Sequence, residues 1–252
     1  MRTFFILLGK ELRAYFLSPV AYIILALFMV ISGFSFSQAI SILGEKPSEV
    51  SIVQWTFYGR WFYYYFFFIF PLITMRLFAE EQKLGTLESL LTAPVRTVHV
   101  LLAKYFSAVI FYIVLWIPNL VYLGILNWVA DGRVEIPSGA LAGSYLIVLL
   151  SGLFHIAIGC LASALTRNQI VAAIICFTII LLHFLLGMFL LLMANNYPVE
   201  MTDFVNYFAT TQHMTYFTRG LIDTRTIVYY ISFSVLLLAM THQVLEYRRW
   251  KS

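Results

Sequence analysis

Apolar runs of about 20 residues dominate this chain, and taking each as one bilayer crossing gives six spanning helices. A soluble fold is excluded by the same pattern. Charged residues are 11% of the chain, where a soluble domain carries roughly a quarter. Hydrophobic residues reach 62% and mean hydropathy is +0.88, so the fold class is all-α integral membrane. Phe and Tyr number 23 and 16, which suits lipid-facing surfaces and interfacial belts.

The first crossing runs from Pro19 to about Ala39, and the second ends near Leu77 after the aromatic run Trp61 to Phe70. Arg60 and Arg76 enclose only 15 residues, about 22 Å of helix and less than the hydrocarbon core. That helix must begin earlier, or Arg60 must snorkel outward. The third crossing spans about Val98 to Val129 with a kink expected at Pro118, the fourth Gly139 to Leu165, the fifth Gln169 to Ala194 and the sixth Thr226 to Leu245. Before them, residues 1–17 place Phe4, Phe5, Leu8, Leu12 and Tyr15 at helical spacing, with Arg2, Lys10 and Arg13 largely opposite. This is the pattern of a helix lying in the membrane interface. A cleaved signal peptide fits less well, because the apolar region after Pro19 is too long and the leader contains Glu11.

With six crossings both termini share a side. That side holds eleven basic and five acidic residues, against five and seven on the other. The positive-inside rule makes both termini, the Phe78–Pro94 segment and the Thr166-Arg167-Asn168 turn cytoplasmic. The net charge of +4 is therefore a topology signal, and nucleic acid is not an expected partner; the bilayer is. Two outer loops, Ile40 to Gly59 and residues 195–225, are long enough to carry structure, and the aromatic-rich second one is expected to fold back as short helices. The whole of 1–252 reads as a single transmembrane domain.

No G-x-x-x-x-G-K-[ST] phosphate loop occurs, since Gly44-Glu45-Lys46 lacks both the spacing and the hydroxyl residue. None of the spans places Asp, Glu, Lys or Arg near its centre, which weakens an ion-coupled carrier. His155 and His183 fall mid-span, and Cys176 shares a helix face with His183 at seven residues' distance, two turns apart and too far to share one ion. Buried residues hydrogen-bonded between helices are the favoured reading, and no metal site is expected. Cys160 and Cys176 both lie in apolar runs, so no disulfide framework is suggested. Gly139 with Gly143, and Gly159 with Ser163, are small-x-x-x-small pairs expected to admit a close neighbour, either a helix of the same chain or one of a second subunit.

The polar segment 80–94 is the most specific feature. The second spanning helix can continue past Arg76 to about Lys83, Gly85 offers a C-terminal stop, and Thr86 an N-cap for a short second helix ending at Ala93-Pro94. About seven residues hold no helix alone in water. Leu87, Leu90 and Leu91 form an apolar face beside Glu88, and no cytoplasmic domain exists to cover it. A partner protein with a groove for a short helix is implied, the alternative being a helix tucked against the membrane surface.

Phe78-Ala79-Glu80-Glu81, then Gly85-Thr86-Leu87-Glu88-Ser89-Leu90-Leu91-Thr92-Ala93-Pro94-Val95 and Leu102-Ala103-Lys104-Tyr105, resemble the first cytoplasmic loop of ABC-2 type exporter permeases. Lys10-Glu11-Leu12, Ser18-Pro19 and Asn168-Gln169-Ile170-Val171-Ala172 extend the resemblance along the chain. Arg219-Gly220-Leu221-Ile222-Asp223-Thr224-Arg225 and Arg248-Arg249-Trp250 are most similar to the gliding-motility-type (GldF-like) permease subunit. The resemblance implies a type V exporter fold in a bacterial inner membrane: six spans, an N-terminal connecting helix and a cytoplasmic coupling helix that docks on an ABC ATPase subunit. Glu80, Glu81 and Glu88 would then make charged contacts, Leu87, Leu90 and Leu91 the buried anchor, and Gly85-Thr86 the bend between. It also implies a second permease chain, identical or not, and often a membrane subunit with a large outer domain. ATP and Mg would bind the ATPase, leaving no cofactor in this chain. The expected function is the permease subunit of an ATP-driven exporter that couples closure of the partner ATPase to alternating access. The aromatic-rich spans without central charges favour an amphipathic or lipid-like cargo over a small ion, and the resemblance itself implies no particular substrate. Two alternatives are a mechanical or regulatory complex acting on an outer partner without transport, and a membrane enzyme built on His155 or His183.

Overall fold

The computed structural model describes residues 2–45, 51–58, 62–92, 95–131, 136–193 and 207–251. Among these residues the secondary structure is helical: α1 (Arg2–Phe16), α2 (Pro19–Glu45), α3 (Ile52–Tyr58), α4 (Phe62–Thr74), α5 (Ala79–Leu84), α6 (Thr86–Thr92), α7 (Thr97–Val129), α8 (Ser138–Leu165), α9 (Gln169–Met193), α10 (Thr210–Thr218) and α11 (Thr224–Lys251). Five of them, α2, α7, α8, α9 and α11, are long and apolar enough to cross a membrane. The expected second span appears as α4, whose 13 residues rise only about 20 Å. Arg60 and Trp61 lie outside the described residues.

The bundle is organised around α8, whose most apolar window is 83% buried inside the chain, against 22% for α9 and α11. Its neighbours are α11, α9, α10, α4 and α7. Small residues allow this crowding, because in an apolar solvent helices gain mainly by close packing. Gly152 gives its missing side chain's space to the Tyr112 ring of α7, and Gly159 to Thr74 of α4. Gly143 faces the Phe217 carbonyl of α10, while Gly220 closes on the backbone of Gly139. The small-x-x-x-small pairs therefore join elements of one chain at these positions.

The two ends of the bundle differ. At one end, α3 and α10 pack on α8, so part of the second long loop folds back as a short helix, as expected. At the other end lie α1, α5, α6, the start of α7 and the ends of α8 and α11. The Tyr15 hydroxyl of α1 donates to the Ile73 carbonyl (2.8 Å), and Arg248 Nη2 near the end of α11 donates to the Leu165 carbonyl (3.2 Å). The two terminal helices therefore meet the α4–α6 segment at the same end.

The second spanning helix does not continue past Arg76, contrary to expectation. It stops at Thr74, residues 75–78 form a turn, and α5 starts afresh at Ala79. A side chain from another helix stabilises the break. Ser163 Oγ of α8 accepts from the backbone N–H of both Phe78 and Ala79 (3.0 Å each) and sits 3.2 Å from the Met75 carbonyl, to which its hydroxyl donates. Orphan amides at a buried helix start are thereby satisfied.

Candidate functional site

The segment from Met75 to Thr92 forms an elbow. Gly85 ends α5 in the left-handed conformation (φ 71°) with its N–H on the Gln82 carbonyl, the conformation that glycine adopts without steric penalty. The expected stop is thus present. Thr86 is not an N-cap: it is the first residue of α6, and its hydroxyl donates backward to the Glu81 carbonyl (3.4 Å), bracing α6 against α5. Gln82 Nε2 donates to the Ala164 carbonyl (3.1 Å), fastening α5 to the last turn of α8.

Charges complete the fastening. Lys104 belongs to the first turns of α7, and its side chain is 3% exposed. Its Nζ lies 2.9 Å from Glu81 Oε1 of α5 and 3.1 Å from Glu11 Oε2 of α1, and stands over the Phe78 ring at 5.7 Å from its centre. Lys10 lies 3.6 Å from both Glu11 and Glu81, outside hydrogen-bond range. Three elements thus share one buried ammonium. Beside it, Arg76 grips Glu80 with two nitrogens (Nε 2.7 Å, Nη2 2.8 Å) and donates through Nη1 to Ser18 Oγ at the start of α2 (2.9 Å). The Arg76 hydrogen bonds hold the Glu80 carboxyl below the usual carboxylate range.

These contacts revise several expected roles. Glu80 and Glu81 are engaged by Arg76 and Lys104 within the chain; Glu81 lies largely out of water, where an unpaired carboxylate would be destabilising, while Glu80 is 33% exposed. Leu87 is 2% exposed and joins the apolar core, with α6 against α5 and α11, so this chain covers that part of the face which seemed to lack a cover. Glu88 is exposed and reaches Arg167, in the turn between α8 and α9, at 3.9 Å, a separation that contributes little in water. Leu90 is half-buried; the side chain of Leu91 and residues Ala93-Pro94 lie outside what the structure describes. Leu84, Gly85, Thr86 and Glu88 are exposed on the outward surface of the elbow.

Lys104, Glu11, Arg76 and Ser163 carry the elbow; the sequence marked Ser163 as a packing residue, Arg76 as a span boundary, and Glu11 and Lys104 only within family-like motifs. A signal was present for Lys104, a lone cation between Ala103 and Tyr105 in an apolar run, and for Glu11, a lone acid in an amphipathic helix. Their pairing was not legible, since 93 residues separate them.

The mid-span histidines pack as side chains of an aromatic layer. His155 Nδ1 donates to the Ser151 carbonyl (2.6 Å) of its own helix, and its ring stacks on Phe70 at 4.9 Å. His183 Nε2 meets the Tyr229 hydroxyl of α11 at 2.8 Å, the expected interhelical bond. His213 is buried in the same layer with Nδ1 at 3.3 Å from the Tyr230 hydroxyl. Cys176 receives the Thr74 hydroxyl at 3.8 Å. Among the described residues no three His, Cys, Asp or Glu side chains gather as a metal site would need.

Residues 38–241, which include the elbow and three of the five long spans in full, match the family described as ABC-2 family transporter protein. The chain belongs to this family. No curated protein gives a match. A chain of the ABC-2 family is the membrane permease subunit of an ABC transporter, a role in which ATP hydrolysis generally resides in a separate partner ATPase.

Proposed function

We propose that this chain is the permease subunit of an ATP-driven exporter, and that its ATPase docks on α6 and drives the spans through α5. The observation that carries this reading is the buried Lys104, which ties Glu81 of α5 to Glu11 of α1 and to α7 itself. A push on a free seven-residue helix would be lost as local motion; a push on α6 reaches two other helices through these charges and α8 through Ser163 and Gln82. The contact surface is the outer face of the elbow, with Glu88 and Thr86 at its rim and Leu90 as the half-buried anchor. ATP and Mg bind the partner, and no side chain here takes part in catalysis.

The terminal helices lie at one end of the bundle, and an odd number of crossings would separate them. We therefore take α4 as the sixth crossing. The excess of basic residues at the elbow's end supports a cytoplasmic position for it and for both termini, in a bacterial inner membrane. The exposed apolar faces of α2, α9 and α11 serve lipid and a second permease chain; the motifs 219–225 and 248–250 favour the gliding-motility-type subfamily.

The test replaces both residues, Glu88→Arg with Leu90→Asp, and asks whether the partner ATPase still co-purifies. Loss of the ATPase with an unchanged melting temperature of the free permease is expected. Normal co-purification would show that the elbow is not the docking site.

A further inference from the structure

The last turns of α11 and the turn between α8 and α9 bring two arginines together at the elbow's end of the bundle. Arg248 Nη2 donates to the Leu165 carbonyl (3.2 Å), two residues before Arg167, and the two guanidiniums are close enough to repel each other. Neither charge is neutralised at contact distance within the described residues. Arg167 is 70% exposed, and Glu88 Oε1 stands 3.9 Å from it, outside hydrogen-bond range. Arg248 has no ion pair among the described residues; Glu246, two residues earlier, turns instead to His242 and Arg249 (3.8 and 3.7 Å). Two neighbouring guanidiniums therefore keep most of their donors for an outside acceptor.

The surface that leads to the pair is apolar. Leu236, Met240, Tyr247 and Trp250 follow one another at helical spacing along α11, and all are exposed, Trp250 to 86%. Ile170 and Ile174 at the start of α9 are exposed as well. In a membrane this stripe meets lipid tails, and its last two residues are of the kinds that settle at the level of the head groups. Arg248 borders the stripe on the side of α8, so a lipid whose chains follow the stripe carries its head to the arginines.

We propose that Arg167 and Arg248 together bind the phosphodiester head of an anionic phospholipid, with its chains along the exposed stripe of α11 and the start of α9. Guanidiniums donate in pairs to phosphate oxygens, which a lone lysine would not do. A zwitterionic head would bring its own cation to a place where positive charge is already in excess. An acidic protein surface would answer the two charges but would leave the apolar stripe beside them uncovered. Lipid binding here needs no ATPase on α6.

The experiment uses the full chain, with its ATPase where that co-purifies, in nanodiscs of phosphatidylglycerol and phosphatidylcholine in equal parts. Native mass spectrometry reads which lipid stays bound. Two basic residues at roughly fivefold each give an expected phosphatidylglycerol preference of at least about tenfold. Arg167→Gln, at an exposed position that folding does not depend on, should lower the preference roughly fivefold, and Arg167→Gln with Arg248→Gln should abolish it. Arg13→Gln with Arg96→Gln removes equal charge from exposed positions at the same end and should leave the preference within about twofold, since distant exposed charges are screened. An equal fall in that control would reveal diffuse attraction in place of a site. That result, an unchanged preference in Arg167→Gln, no preference in the unaltered protein, or loss of the ATPase from the Arg167–Arg248 double variant with phosphatidylglycerol still retained would overturn the proposal.

Discussion

Replacing Lys104 with Met keeps the length of the stem and removes only the charge that three helices share. Its side chain is 3% exposed, and the Glu11 and Glu81 side chains are 11% and 18% exposed, so the loss leaves two carboxylates largely out of water. Breaking a buried ion pair from one side costs about 3 to 5 kcal/mol, because the remaining charge stays desolvated. The lower figure applies here, since both carboxylates keep some exposure and Lys10 stands 3.6 Å from each. For a chain of this size about 3 kcal/mol corresponds to a fall in melting temperature of roughly 6 to 12 °C. The assay is thermal unfolding of the purified permease in detergent, followed by fluorescence. A second protein, Lys104→Met with Glu11→Gln and Glu81→Gln, separates charge from packing. Most of the loss should return there, because replacing a whole buried cluster with neutral side chains is often close to neutral. A shift under about 1 °C for Lys104→Met would place the cluster with exposed ion pairs, whose contribution is often below about 1 kcal/mol, and would remove the rigid coupling of α5 to α1 and α7.

Two further outcomes concern the contacts of α8. Ser163→Ala withdraws the acceptor shared by the Phe78 and Ala79 amides and should destabilise α5 by about 1 to 2 kcal/mol, read as faster hydrogen exchange at those two amides while the centre of α8 stays protected. Gly143→Ala puts a methyl group against the Phe217 carbonyl and should cost about 1 to 3 kcal/mol, with α10 loosening from α8; unaltered labelling of a cysteine placed at Thr211 would contradict that packing.

The sequence by itself determined the class of structure, because apolar runs of such length leave a bilayer as the only suitable solvent and helices as the form that satisfies their backbone. It also determined the break at Gly85, a local matter of backbone conformation, and the polar elbow between two apolar regions. Tertiary structure decided how that elbow is used. Which wall Glu80 and Glu81 face, whether Leu87 is covered, and what caps α5 depend on α1, α7, α8 and α11. Apart from Arg76, one turn from Glu80, those partners come from 23 (104 minus 81) to 93 residues away or lie on helices whose rotation no local pattern reports. A lone charge in an apolar run signals that a partner exists; only packing brings Lys104 between Glu11 and Glu81. The same holds for His213: the sequence implied that its loop folds back as short helices, but only packing buries this side chain against Tyr230. Local rules set where helices start and stop, and the pairing of buried polar groups across the bundle set which of their residues transmit force.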